Sequence, residues 1–132
     1  MFPEGEFAIR NRATGAVFDV MYESTEADTE IKTWEAKGED SNANQRFRFE
    51  GGLLINLNSG LSVTFNHTGQ GAMPTQVPGE NADTQIFEYD DGVLSLAQDE
   101  NKELVVGQID DLIQLVPADG DDESQRWDLV EF

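Results

Sequence analysis

The sequence predicts an all-β protein built from three four-stranded repeats that close on themselves with pseudo-threefold symmetry. Three observations predict it. Gln45-Arg46-Phe47 recurs as Gln85-Ile86-Phe87 and as Gln125-Arg126-Trp127, with the glutamines 40 residues apart both times. A fixed period in this range marks one supersecondary unit used repeatedly. Large apolar residues then alternate past each copy: Phe47 and Phe49, Phe87 and Tyr89, Trp127 and Leu129. That period of two describes a half-buried strand with its aromatics inward. Finally, no segment carries a helical 3.6-residue period, while Asn, Asp, Gly and Ser crowd the joints, as turn chemistry requires.

Each element follows from this anchor. Glu50-Gly51-Gly52 and Asp90-Asp91-Gly92 read as turns after the first two anchor strands, and Gly5 opens the first unit in the same way. Strands then start around Phe7, Leu54 and Leu94. Second turns follow at Ala13-Thr14-Gly15, Asn58-Ser59-Gly60 and Asp99-Glu100-Asn101. Second strands are expected at Val17–Val20, Leu61–Thr64 and Leu104–Val106, and third strands at Ile31–Trp34, Thr75–Val77 and Leu112–Val116. The second unit's third strand is the least defined of these. The Gln-x-aromatic strand closes each unit. The units run 1–51, 52–91 and 92–132 within one domain, because a 40-residue β unit cannot bury its own apolar face. Twelve strands arranged this way can close and remove exposed edges. The repeated glutamine amide suits tying a turn's backbone to the strand start.

Composition narrows the function. The chain has no cysteine, which excludes disulfides, thiol chemistry and thiolate metal sites. The N-terminal residues lack a basic segment followed by an apolar run, and no stretch is long and apolar enough to span a bilayer. The expectation is a cytoplasmic protein without membrane insertion. The net charge of −19 argues against nucleic acid and anionic lipid. Charge is uneven: residues 1–51 hold six basic and eleven acidic groups (−5), residues 52–91 none and five (−5), residues 92–132 two and eleven (−9).

Three units of this size, each ending Gln-x-Trp/Phe, resemble the ricin B-type lectins with their β-trefoil fold. The family's Gly-x-x-φ-Asp-φ element is visible as Gly15-Ala16-Val17-Phe18-Asp19-Val20. The lack of cysteine is most like the cytoplasmic mushroom relatives. The resemblance implies a non-catalytic, carbohydrate-binding protein with no cofactor or metal. It places one site in the first unit. Asp19 is the acid that accepts from sugar hydroxyls, Trp34 the aromatic wall, Lys32 a polar neighbour, and Asn44-Gln45 the polar edge. An indole can cover the C–H face of a pyranose and shed water from both surfaces. A carboxylate accepts two hydroxyl protons, and an asparagine adds a donor and an acceptor. Carried over from the family, this set implies glycans with terminal galactose or N-acetylgalactosamine.

The other units look degraded. Ser62 and Val105 are read at the acid's place. Pro74–Pro78 offers no aromatic wall, and Leu115-Val116 replaces it in the third copy. One shallow site calls for a homodimer or a multivalent surface to reach useful avidity. The alternative is a β-trefoil protease inhibitor, with Lys37 in Glu35–Glu39 offered to a trypsin-like pocket. His67 is the only histidine and reads as an exposed loop residue. Asp119–Glu123 lacks calcium-loop spacing. Asp110 and Asp111, as neighbours on a strand, point to opposite faces and form no glycosidase pair.

Overall fold

Every expected strand forms in the computed structural model, which describes all 132 residues. The first unit contributes β1 (Phe7–Asn11), β2 (Val17–Val20), β3 (Thr29–Trp34) and β4 (Phe47–Glu50). The second contributes β5 (Leu53–Asn56), β6 (Ser62–Phe65), β7 (Pro74–Val77) and β8 (Phe87–Asp90). The third contributes β9 (Val93–Leu96), β10 (Leu104–Ile109), β11 (Leu112–Pro117) and β12 (Trp127–Glu131). The only helical elements are single 3-10 turns at Met21–Glu23, Ala43–Gln45 and Glu123–Gln125. The weakly signalled β7 is a full strand, because Pro74 sits at its first position, where a missing N–H costs least.

Six strands make a closed ring. β1 pairs with β12 over Phe7↔Glu131 to Asn11↔Trp127, and with β4 at Phe7↔Phe47. β4 pairs with β5, and β8 with β9. Single backbone bonds bridge the remaining gaps, Phe87 N–H to Gly52 C=O at 3.0 Å and Trp127 N–H to Gly92 C=O at 2.8 Å. These two glycines have φ of 91° and 84° and end the turns predicted at the strand joints. The hairpins β2–β3, β6–β7 and β10–β11 form a second layer. They are tied to one another through Thr29↔Gln76, Thr33 N–H to Asp111 C=O, and Leu115 N–H to Ala72 C=O.

The anchor aromatics Phe47, Phe87 and Trp127 are buried in one core with Phe7, Phe18, Phe65, Leu54 and Leu94. Phe18 meets Trp127 edge-on at 5.0 Å between ring centroids, a favoured aromatic geometry. The indole N–H of Trp127 donates to Val106 C=O at 2.8 Å, so its one polar atom is satisfied inside. Phe49 and Tyr89 lie half-buried toward the core's edge, where Phe2 stacks on Phe49 at 3.9 Å.

The repeated glutamines act as straps. Each Oε1 accepts a loop N–H: Lys37 for Gln45 (2.9 Å), Glu80 for Gln85 (2.8 Å) and Asp119 for Gln125 (2.8 Å). Each Nε2 donates to a carbonyl two residues earlier, at Glu35, Pro78 and Pro117. The loop before each closing strand is thereby held by one buried amide.

A second strap is carried by Asn11 and Asn56, both fully buried. Asn11 Nδ2 donates to Ser124 C=O at 2.8 Å, and Asn56 Nδ2 to Asn44 C=O at 3.0 Å, so each joins its own unit to the preceding closing turn. Their Oδ1 atoms accept from Ala13 and Thr14, and from Asn58 and Ser59. Asn56→Ala would orphan buried backbone groups and is expected to cost about 2–3 kcal/mol in urea denaturation. Ser59→Ala should cost about 1–3 kcal/mol, because Ser59 Oγ donates to the Oε1 of the buried Gln76 at 2.7 Å.

Candidate functional site

The site begins with an exception to strand alternation. Phe18 and Val20 point into the core, so Asp19 between them should face out, yet Asp19 is only 6% exposed. The cover comes from the 3-10 turn Ala43–Gln45, which brings two consecutive amides down onto it. Asp19 Oδ1 accepts from Asn44 Nδ2 at 3.0 Å, and Oδ2 accepts from Gln45 Nε2 at 2.8 Å. Asn44 Nδ2 also donates to Val20 C=O at 2.9 Å. Two bonds from neutral amides orient the carboxylate and leave it lone pairs for further donors. Asn44 Oδ1 is buried and has no partner within the protein.

Trp34 ends β3, where it pairs in register with Val17. Its indole is 55% exposed. Asp19, Asn44, Trp34, Lys37 and the turn residues Met21, Tyr22 and Glu23 line one hollow of about 210 Å³. A planar apolar wall thus stands beside a fixed acid and amide on open surface.

The expected set divides here. Asp19, Asn44 and Trp34 converge on the hollow. Gln45 is buried behind Asp19 and does not line the hollow; it borders a separate depression with Ala36 and Phe132. Lys32 lies outside: it pairs with Asp19 in register, but its ammonium sits 3.7 Å from the Glu30 carboxylate. It lines a neighbouring depression with Met73 and Leu112 instead. The cation that does border the hollow is Lys37, 3.9 Å from Glu23. This is also the lysine of the inhibitor alternative. Its N–H is tied down by Gln45 and its side chain is only 26% exposed, turned to the rim rather than presented outward.

Tyr22 and Glu23 went unread in the sequence. The signal was their place immediately after Asp19-Val20, where a strand that stops at once puts its next side chains on the rim.

The acid's counterpart in the second unit also needs correcting. It is Thr64, not Ser62. Gln85 Nε2 donates to Thr64 Oγ1 at 3.1 Å, as Gln45 does to Asp19. Gly60-Leu61-Ser62-Val63-Thr64-Phe65 matches the spacing of Gly15 through Val20, and both glycines have positive φ. Ser62 is buried two residues earlier along the strand. In the third unit the place belongs to Gly107, not Val105: Val105 pairs with Val116 as Val17 pairs with Trp34, whereas a Cβ on Gly107 would lie 3.4 Å from Gln125 Cγ, and Gln125 makes no side-chain bond there. By register with Ser62, Val77 stands where Trp34 stands opposite Val17.

Burial pushes the Asp19 carboxyl above its ordinary value of 3.8, while the Gln45 bond and the charge of Lys37 pull it back.

No family model matches the sequence, and no curated protein does. Solved structures do match. A solution structure of the mdaA-1 domain is 26% identical with a TM-score of 0.86, covering 98% of this chain and 91% of that one. The C-half of an earthworm R-type lectin, in complex with GalNAc, is 14% identical with a TM-score of 0.80, over 98% and 100% of the two chains. The Rhizoctonia solani agglutinin is 16% identical with a TM-score of 0.76, over 100% and 98%. The fold is that of R-type lectins and agglutinins, in keeping with the ricin B-type resemblance.

Asp19→Ala orphans neither amide, since Asn44 keeps Val20 C=O and Gln45 keeps Glu35 C=O. Its stability cost should stay under about 1 kcal/mol. Because the folded-state pKa is raised, Asp19 favours folding most below pH 3.8, and that contribution is lost as pH rises through the higher folded value. Wild type should therefore lose stability relative to Asp19→Ala across that window, as read by thermal melts at stepped pH.

Proposed function

We propose that this chain is a non-catalytic carbohydrate-binding β-trefoil of three repeats, residues 1–51, 52–91 and 92–132, with one working site in the first. Its ligand is a glycan with terminal galactose or N-acetylgalactosamine. The observation that carries this reading is the exposed Trp34 indole beside an Asp19 carboxylate held by two amide donors. The indole takes the C–H face of the ring. The carboxylate accepts from two hydroxyls, and Asn44 Nδ2 holds it in place from the side of the hollow.

The amide bonds matter because they pre-orient the acceptor. A carboxylate free to rotate would lose entropy on binding, and this one has lost it on folding. Gln45 has a positioning role: it sets the Asp19 plane and does not itself meet the sugar. Neither Thr64 nor Gly107 supplies a charged acceptor, and Val77 and Val116 stand where the first unit has Trp34. A hydroxyl buried against Gly107, which has no side chain to accept it, would go unpaired, at about 1–3 kcal/mol. With one site per chain, tight attachment to a cell surface draws on a homodimer or on clustered glycans.

The test is a glycan array followed by calorimetry on wild type, Asp19→Ala and Trp34→Ala. Wild type should bind terminal galactose or N-acetylgalactosamine. Asp19→Ala should weaken it about 10- to 100-fold, the worth of hydrogen bonds to a charged acceptor. Binding that survives Asp19→Ala unchanged, or an array with no signal, would overturn the proposal. The pH profile adds a second reading. Sugar hydroxyls need the ionised acid, so affinity should fall on acidification, beginning above pH 3.8 because the Asp19 pKa is raised.

A further inference from the structure

The rim of the hollow carries a backbone outlier that the fold does not need. Tyr22 has φ of 60° and ψ of 21°, and Glu23 follows at φ 54°, so two successive non-glycine residues sit in the left-handed region. A bulky side chain there is disfavoured, and glycine or asparagine would make the same turn at lower cost. The turn is nevertheless held firmly. Asn58 Nδ2 donates to Glu23 C=O at 3.0 Å, and Gln76 Nε2 donates to Ser24 C=O at 3.0 Å and Glu26 C=O at 2.9 Å. Side chains from the second unit thus brace the strained segment of the first.

Tyr22 returns nothing to stability. It is 90% exposed and takes no part in the core. An aromatic ring fixed on a braced, strained turn, beside a hollow with another exposed aromatic, is the arrangement of a recognition residue. Trp34 and Tyr22 are the two aromatic walls of the hollow, and Asp19 and Asn44 are its polar floor.

We infer that Tyr22 is a specificity-determining residue that packs on an apolar substituent of the bound ring, so that the site selects an N-acyl sugar over its plain hydroxyl counterpart. This deepens the sugar-binding reading and rests on it. The argument follows from the division of labour. Trp34 covers one ring face, and Asp19 with Asn44 takes the hydroxyls. What still distinguishes N-acetylgalactosamine from galactose is an acetamido group with a methyl at its tip. A hydroxyl gains nothing from an exposed phenol ring, whereas a methyl shed from water onto it does.

The experiment titrates galactose and N-acetylgalactosamine into wild type, Tyr22→Gly and Tyr22→Phe, following tryptophan fluorescence and thermal melting. The chain has two tryptophans, and Trp127 is fully buried, so a sugar-dependent change reports Trp34. Wild type should prefer N-acetylgalactosamine by about three- to tenfold, the worth of one aromatic contact. Tyr22→Phe should keep that preference. Tyr22→Gly should abolish it while melting no lower than wild type, since glycine suits the left-handed turn. Equal affinities in wild type, or a preference that survives Tyr22→Gly, would overturn the assignment with sugar binding itself intact. A wild type blind to both sugars would remove the binding reading and this inference with it.

Discussion

One amide connects the scaffold to the site. Gln45 Nε2 is shared between the Glu35 carbonyl, 3.0 Å away, and the Asp19 carboxylate, 2.8 Å away, while its Oε1 holds Lys37 N–H. The first and third of these bonds recur in all three units and shape the loop before the closing strand. The second uses the remaining hydrogen of the NH₂ group. In the second unit that hydrogen goes to Thr64, and in the third no side chain takes it. A repeated structural amide therefore always points one proton toward the same place on the second strand. Whatever residue stands there decides what that proton does.

Asp19, Thr64 and Gly107 form a series at that place. A carboxylate is the costliest of the three, because burial penalises its charge and pushes its pKa up. It is tolerable in the first unit because Asn44 adds a second donor. Thr84 and Ser124 hold the corresponding sequence positions and have no amide to give. Thr64 meets one donor without a charge, and Gly107, with no side chain, avoids the demand altogether. The acid and the asparagine thus belong together, and losing one removes the reason to keep the other. A threefold scaffold with one polar hollow follows from that coupling.

The parts legible in the sequence are those governed by short-range rules. Gln-x-aromatic strands declare themselves through period-two alternation, and the turns at Gly52 and Gly92 through glycine. Asp19 and Trp34 are legible as candidate-site residues because one follows Gly15 at a recognisable spacing and the other is an aromatic that ends a strand. The misreadings share one cause. Residues 45 apart, not 40, relate Asn11 to Asn56, Gly15 to Gly60 and Asp19 to Thr64. The first unit's longer loops shift that register, so an alignment anchored on glutamines slips by two at Ser62. Lys32 misleads for a different reason. Register places it opposite Asp19, but a long flexible side chain follows the nearest carboxylate, here Glu30, and register alone does not say where its charge ends up.

Charge placement explains why the site sits where it does. Of eight basic residues, Arg10, Arg12, Lys32, Lys37, Arg46 and Arg48 fall within the first 51 positions. Arg12 and Arg46 make surface ion pairs with Asp128 and Glu6, worth little each in water. Lys37 differs, because it borders the hollow and its field favours the ionised form of Asp19, against burial and against the neighbouring charge of Glu23. A protein with a net charge of −19 works against any further buried carboxylate. The Gln45 hydrogen bond and then the Lys37 charge favour the ionised form of Asp19, and the first unit brings both to it. The net negative charge of the molecule as a whole disfavours phosphorylated, sulfated or sialylated ligands. The hollow is therefore suited to a neutral ring whose hydroxyls donate to a charge that the local cation keeps in place.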